Sequence, residues 1–127
     1  MSSRIVGLDH VQLAMPAGGE DQARAFYHDV LGFEEVAKPE AMRGRGGVWF
    51  RSGTVNLHLG VDPEFRAATK AHPALRVEGL PAFIVRCTKA GHPVERDVPL
   101  PGMERVHVND PFGNRIELLE SSSKTAD

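Results

Sequence analysis

Asp110–Glu120 reads DPFGNRIELLE. The DPFG part is a turn signal, because proline presets its own φ and glycine accepts conformations closed to other residues. Beyond it, Ile116 and Leu118 alternate with Arg115, Glu117 and Leu119, which is the period-two pattern of a strand. Before it, ERVHVND (104–110) alternates too, with His107 between Val106 and Val108. Two alternating runs over a tight turn predict a β-hairpin.

A related stretch lies in the first half of the chain. SGTVNLHLG (52–60) corresponds to FGNRIELLE (112–120), and VWFR (48–51) precedes it over a Ser52-Gly53 turn. Further upstream, HVQLAM begins at His10 and HPALRV begins at His72. Each is followed by a helical pattern, a glycine just past the helix end and a short strand. The first strand is expected over 5–15, with Leu8, His10, Gln12 and Ala14 on one face. The first helix is expected over 19–31, with Ala23, Phe26, Tyr27 and Val30 as its apolar stripe and Gly32 beyond its end. The second helix is GLPAFIVRCTKAG (79–91), with Pro81 early and Gly91 at its end. FEEVA (33–37) and PVERD (93–97) are short strands. KPEAMRGRGG (38–47) and VPLPGM (98–103) are loops, and VDPEFRAATKAHP (61–73) is a linker with a helical turn expected after Asp62-Pro63.

A repeat of this kind constrains the whole fold. The expected class is α+β: two βαβββ modules, about 5–60 and 72–120, whose curved mixed sheet encloses a cup with helices on its outer face. Residues 1–120 form one domain, and 121–127 are expected to be a disordered tail.

The chain has 127 residues, with 41% hydrophobic and 25% charged, which fits one compact domain. A net charge of -2 gives no footprint for nucleic acid or an anionic membrane. No apolar run spans a bilayer, and MSSRIVGLDH lacks the apolar core of a signal peptide. Cys87 is the one cysteine, so no intrachain disulfide forms and a cytoplasmic setting is the default.

LDHVQLAM, ARAFYHDVLGF and DPFGNRIELLE together resemble the vicinal oxygen chelate superfamily, the glyoxalase/bleomycin-resistance/dioxygenase group. The resemblance runs from about Ile5 to Glu120. It implies metal ligands on the first and last strands of each module, which map onto His10, His72 and Glu117. A fourth ligand would come from the strand carrying Thr54, Asn56 and His58. His58 is the better donor, although Glu117 corresponds to either Asn56 or His58 depending on one gap. Imidazole and carboxylate ligands suit Zn, Ni, Co, Mn or Fe(II). No organic cofactor is implied, and Glu117 is the candidate for moving protons. Gln12, Trp49, Asn56 and His107 are candidate substrate-pocket residues. The bland alternatives are a hydrogen-bonded core role for His10, core packing for Trp49 and Tyr27, an ordinary hairpin position for His107, and solvent-facing positions for His28 and His92.

The resemblance implies a glyoxalase-like, metal-dependent lyase or isomerase on a small oxygen-rich substrate, working as a homodimer. The alternative is a metal-free binding or drug-sequestering protein of bleomycin-resistance type. Extradiol dioxygenase chemistry fits less well, since such enzymes are usually longer. Fosfomycin-type thiol transfer also fits less well, since only Lys124 follows the last ligand strand.

Overall fold

The computed structural model describes residues 2–122. Its elements are β1 (Val11–Met15), α1 (Glu20–Ala23) continuing as a π-helical turn (Arg24–His28), β2 (Glu34–Val36), β3 (Val48–Ser52), β4 (Val55–Val61), β5 (Ala74–Arg76), α2 (Leu80–Lys89), β6 (Val94–Arg96), β7 (Met103–Asn109) and β8 (Arg115–Ser121). The strands form two four-stranded sheets with orders β1-β4-β3-β2 and β5-β8-β7-β6. In each, the first strand pairs in parallel with the last, and the other pairs are antiparallel. The two halves are therefore one βαβββ unit used twice. No helix among the described residues is long and apolar enough to cross a membrane.

Strand alternation decides which side of each sheet is covered. Leu13, Met15, Val48, Phe50, Leu57 and Leu59 of the first sheet are buried, as are Val106, Val108, Ile116 and Leu118 of the second. These residues join Phe26, Tyr27, Leu80 and Cys87 in one core that runs through both modules. Phe26 and Tyr27 are wholly buried, and their rings meet edge to face at 4.9 Å. Each large aromatic buried this way contributes roughly 1.5–3 kcal/mol. Polar ties also cross between modules. Arg86 Nε donates to Val30 O at 2.9 Å, and Asn114 Nδ2 donates to Ala14 O at 2.9 Å.

Several boundaries differ from expectation. The first strand starts at Val11, six residues late: its ladder with β4 begins at Val11 opposite Leu57, although β4 itself begins at Val55. Residues 5–10 carry no ladder, and Ile5, Val6 and Leu8 are 94%, 84% and 81% exposed. No helix follows Asp62-Pro63; Asp62 Oδ1 instead accepts the Glu64 N–H at 2.9 Å and turns the chain locally. His92 is not solvent-facing, since its ring lies 4.7 Å from that of Phe26. The last strand continues through Ser121, and the Ser122 N–H donates to Gly102 O. The order thus runs past the expected boundary at 120, and residues 123–127 of the expected tail lie outside the described residues.

Candidate metal centre

The β7–β8 hairpin sets the site. His107 stands directly opposite Glu117 in the ladder, and Arg105 opposite Leu119. Their neighbours Val106, Val108, Ile116 and Leu118 point into the core, so His107, Glu117 and Arg105 face the other side. On its far edge β8 pairs with β5, where Ala74 is the partner of Glu117. The Glu117 N–H reaches Pro73 O at 3.0 Å, and this brings His72 against the carboxylate. Proline at this position leaves its own carbonyl free to accept, so Pro73 extends the ladder without needing an N–H.

His72 Nε2 lies 3.0 Å from Glu117 Oε1, and His107 Nε2 lies 3.5 Å from the same oxygen. One ligand atom from each of the three residues falls within 4.8 Å of the others. Atoms bound at about 2.1 Å to one ion stand about 3.0–3.4 Å apart at octahedral or tetrahedral angles, so the 3.0 and 3.5 Å approaches to Glu117 Oε1 suit a shared ion, and the wider 4.8 Å spread needs the side chains to close in on it.

The hydrogen bonding around the cluster points the same way. His72 Nδ1 is 2.8 Å from Lys70 O. A carbonyl only accepts, so Nδ1 carries the hydrogen, and in the neutral ring Nε2 presents a lone pair to a carboxylate oxygen. Two acceptors at 3.0 Å need a cation between them, either a proton or a metal ion. His107 Nε2 is buried and has no hydrogen-bond partner. Buried polar atoms are rarely left so, and an ion is one of the few explanations.

A second layer surrounds these three. Arg105 reaches Glu117 Oε2 at 3.5 Å and Asp97 Oδ2 at 3.5 Å, and its Nε donates to Val98 O at 3.0 Å. Asp97 Oδ2 is also 3.5 Å from His107 Nε2. The Val98 N–H, aided by the Arg105 charge, holds the Asp97 carboxyl below the usual carboxylate range. Two carboxylates and one guanidinium thus surround the two imidazoles.

The other candidates gather in the first module. Gln12 and Trp49 flank His58 in the ladder. The Trp49 and His58 rings stack at 3.8 Å and 3°, and His10 stacks on His58 at 4.4 Å and 18°. Burial, together with the neighbouring His10, pushes the His58 imidazole below its usual range and keeps it neutral. His10 Nδ1 is tied to Asp9 Oδ2 at 2.9 Å, which leaves Nε2 free to accept or ligate. Asn56 Nδ2 donates to Asp9 O at 3.4 Å, and the Gln12 side chain lies across Gly60, where an added Cβ would come 2.5 Å from Nε2.

The residues expected as four ligands therefore fall into two groups, His72 with Glu117 and His10 with His58. Between them runs a groove of about 980 Å³, walled by 8–14 on one side and 71–77 on the other. Each wall includes a sheet-edge strand, β1 on one side and β5 on the other. His107 joins the ligand-type cluster, and Asp97, a residue that no sequence motif singles out, stands at its margin. The signal that could have found His107 is the hairpin count across DPFGN, which sets it opposite Glu117.

A family model described as Glyoxalase/Bleomycin resistance protein/Dioxygenase superfamily matches residues 7–118. Among solved structures, one described as a glyoxalase family protein from Bacillus anthracis is 45% identical, with 96% of this chain and 100% of that chain covered and a TM-score of 0.91. A mutant of the fosfomycin resistance protein FosX from Listeria monocytogenes, complexed with Mn(II) and 1S,2S-dihydroxypropylphosphonic acid, is 15% identical over 94% of this chain and 95% of that chain, with a TM-score of 0.78. TnmS3, an antibiotic binding protein from Streptomyces sp. CB03234, is 22% identical over 93% of this chain and 100% of that chain, with a TM-score of 0.69. Among curated proteins no sequence matches.

Proposed function

Since the chain belongs to the glyoxalase/bleomycin resistance/dioxygenase superfamily, we propose that it is a divalent-metal-dependent enzyme of glyoxalase type, acting on a small oxygen-rich substrate by lyase or isomerase chemistry. The observation that carries this reading is the gathering of His72, His107 and Glu117, whose ligand atoms lie within 4.8 Å of one another, with His72 Nε2 3.0 Å from Glu117 Oε1. The donors suit Zn, Ni, Co, Mn or Fe(II). When bound, such an ion supplies Lewis-acid stabilisation of charge developing on substrate oxygens. Glu117 is the group for proton transfer, and Arg105 at its Oε2 fixes the carboxylate orientation. The buried Cys87 suits a cytoplasmic protein.

The working unit in this reading is a homodimer, with His10 supplied to the cluster by a second copy. His10 follows an exposed apolar arm, Ile5, Val6 and Leu8, beside two unpaired sheet edges. Such apolar exposure and open edges favour docking of another chain.

The test is metal content. Protein purified without chelator or tag-derived metal should hold a divalent ion, and His10→Ala and Glu117→Gln should weaken it. Wild-type protein that binds no divalent ion at micromolar concentration overturns the enzyme reading.

The Trp49–His58–His10 stack favours a second reading, a metal-free binder of a flat small molecule. Tight binding of aromatic ligands by protein that holds no metal, lost in Trp49→Ala, would support it over the first.

A further inference from the structure

We infer that His107 is a metal ligand of this protein, filling the role that the fourth strand of the first module would otherwise supply, and that His58 is a positioning residue that holds the His10 ring. This rests on the metal-dependent reading above and assigns its ligand set.

Four observations carry the inference. First, His107 is the direct ladder partner of Glu117, so a rigid hairpin fixes the two side chains side by side on one face. Second, His107 Nε2 lies 3.5 Å from the oxygen that His72 Nε2 also approaches, and the three ligand atoms fall within one 4.8 Å set. Third, His107 Nε2 is buried and without a hydrogen-bond partner, although its side chain is 13% exposed. Fourth, the Glu117 side chain is only 6% exposed and its guanidinium partner stands 3.5 Å away, so a further cation beside it would lower the cost of burying its charge.

The competing account is that His107 is an imidazolium paired with Asp97. At 3.5 Å that contact forms no hydrogen bond, and His107 Nε2 is left without a partner. His58 is poorly suited to ligation from its place in the fold. Trp49 covers one face of its ring and His10 the other, and it stands outside the ligand-type cluster. Its stacking contact instead sets the plane of His10, while Asp9 sets the tautomer. A consequence is that three ligands belong to one module, so the second module holds an ion without His10.

The test is Co(II) titration, read by affinity and by the ligand-field absorption of the bound ion. Relative to wild type, His107→Ala should weaken Co(II) at least about ten-fold and alter the absorption spectrum. His107→Phe, which keeps the volume without a donor, should behave alike and serves if the alanine variant folds poorly. His58→Phe, which keeps a ring between Trp49 and His10, should lose less affinity than His107→Ala, whereas His58→Ala, which removes the stack, should weaken Co(II) about ten-fold. Asp97→Asn should keep the wild-type spectrum, since it removes a charge near His107 and no ligand. Folded His107 variants with wild-type affinity and spectrum would overturn the ligand assignment while leaving the metal reading intact. A wild-type protein that takes up no Co(II) would remove both.

Discussion

The Tyr27 hydroxyl donates a 2.7 Å hydrogen bond to the Asp110 carboxylate, joining the first helix to the turn between β7 and β8. Asp110 also accepts from the Phe112 and Asn114 backbone N–H groups and from Asn114 Nδ2, at 2.9, 2.9 and 3.0 Å. That turn fixes the register that sets His107 opposite Glu117. The first module thus helps to hold the hairpin that builds the cluster. Burial, then the Asp110 charge, pushes the Tyr27 phenol well above its usual range, so it is a donor at all physiological pH.

Tyr27→Phe keeps the ring and removes the donor, leaving a 4% exposed Asp110 one partner short. The expected cost is about 1.5–3 kcal/mol, the range for a hydrogen bond to a charged group. Urea denaturation gives the value. A midpoint equal to wild type would mean that the other three donors satisfy Asp110 alone.

Much of this is legible in the sequence, and the reasons are local. Period-two alternation identifies the faces of β4 and β8, because their core apolar residues fall on one side even though His58 and Glu117 on the other are buried too. The repeat gives the doubled topology, because matching elements recur in the same order. Three features are less accessible. Alternation continues from Ile5 to His10, yet a strand also needs a ladder, and the pairing with β4 begins only at Val11 opposite Leu57. The partition of His10 and His58 from His72 and Glu117 depends on how two modules dock, and periodicity does not encode that. The repeat compares Glu117 with the other module's strand and not with its own hairpin partner, which leaves His107 as a pocket residue.

Gly47 tests the close packing beside β4. Its φ is +106°, and an added Cβ would lie 2.1 Å from Leu59 O. Its N–H also donates to Glu20 Oε2 at 2.9 Å, a bond that lowers the Glu20 carboxyl below its usual range. Gly47→Ala meets both an unfavourable backbone conformation and a backbone clash that no side-chain rotation relieves. A loss of at least about 2 kcal/mol is expected, read as a fall in the thermal or urea midpoint. Gly44→Ala, with nothing within 4 Å, is the control and should be near neutral.

His58 should make stability fall as pH drops. Burial disfavours its charged ring and His10 adds to this, while Asp9 acts in the opposite direction. The folded-state pKa is therefore below the ordinary value of 6.5, and between the two values the unfolded chain binds more protons. Stability is full above 6.5 and declines as pH falls toward the folded-state pKa. Urea denaturation of the chelator-treated protein from about pH 7.5 to 5.5 measures the slope. His58→Phe should flatten it, and equal slopes in both proteins would remove His58 as a contributor.

The shared-site dimer makes a prediction that a site within one chain does not share. His10→Ala and Glu117→Gln homodimers should each bind Co(II) more weakly than wild type. Mixing the two variants through reversible unfolding yields heterodimers among the products. If His10 of one copy serves the cluster of the other, each heterodimer contains one site with both changes and one site with neither. Wild-type affinity and absorption should then return at one ion per heterodimer. If His10 served its own chain, every site would keep one change and nothing would return. Before mixing, sedimentation must find dimers at the working concentration, and monomers alone would count against the whole arrangement.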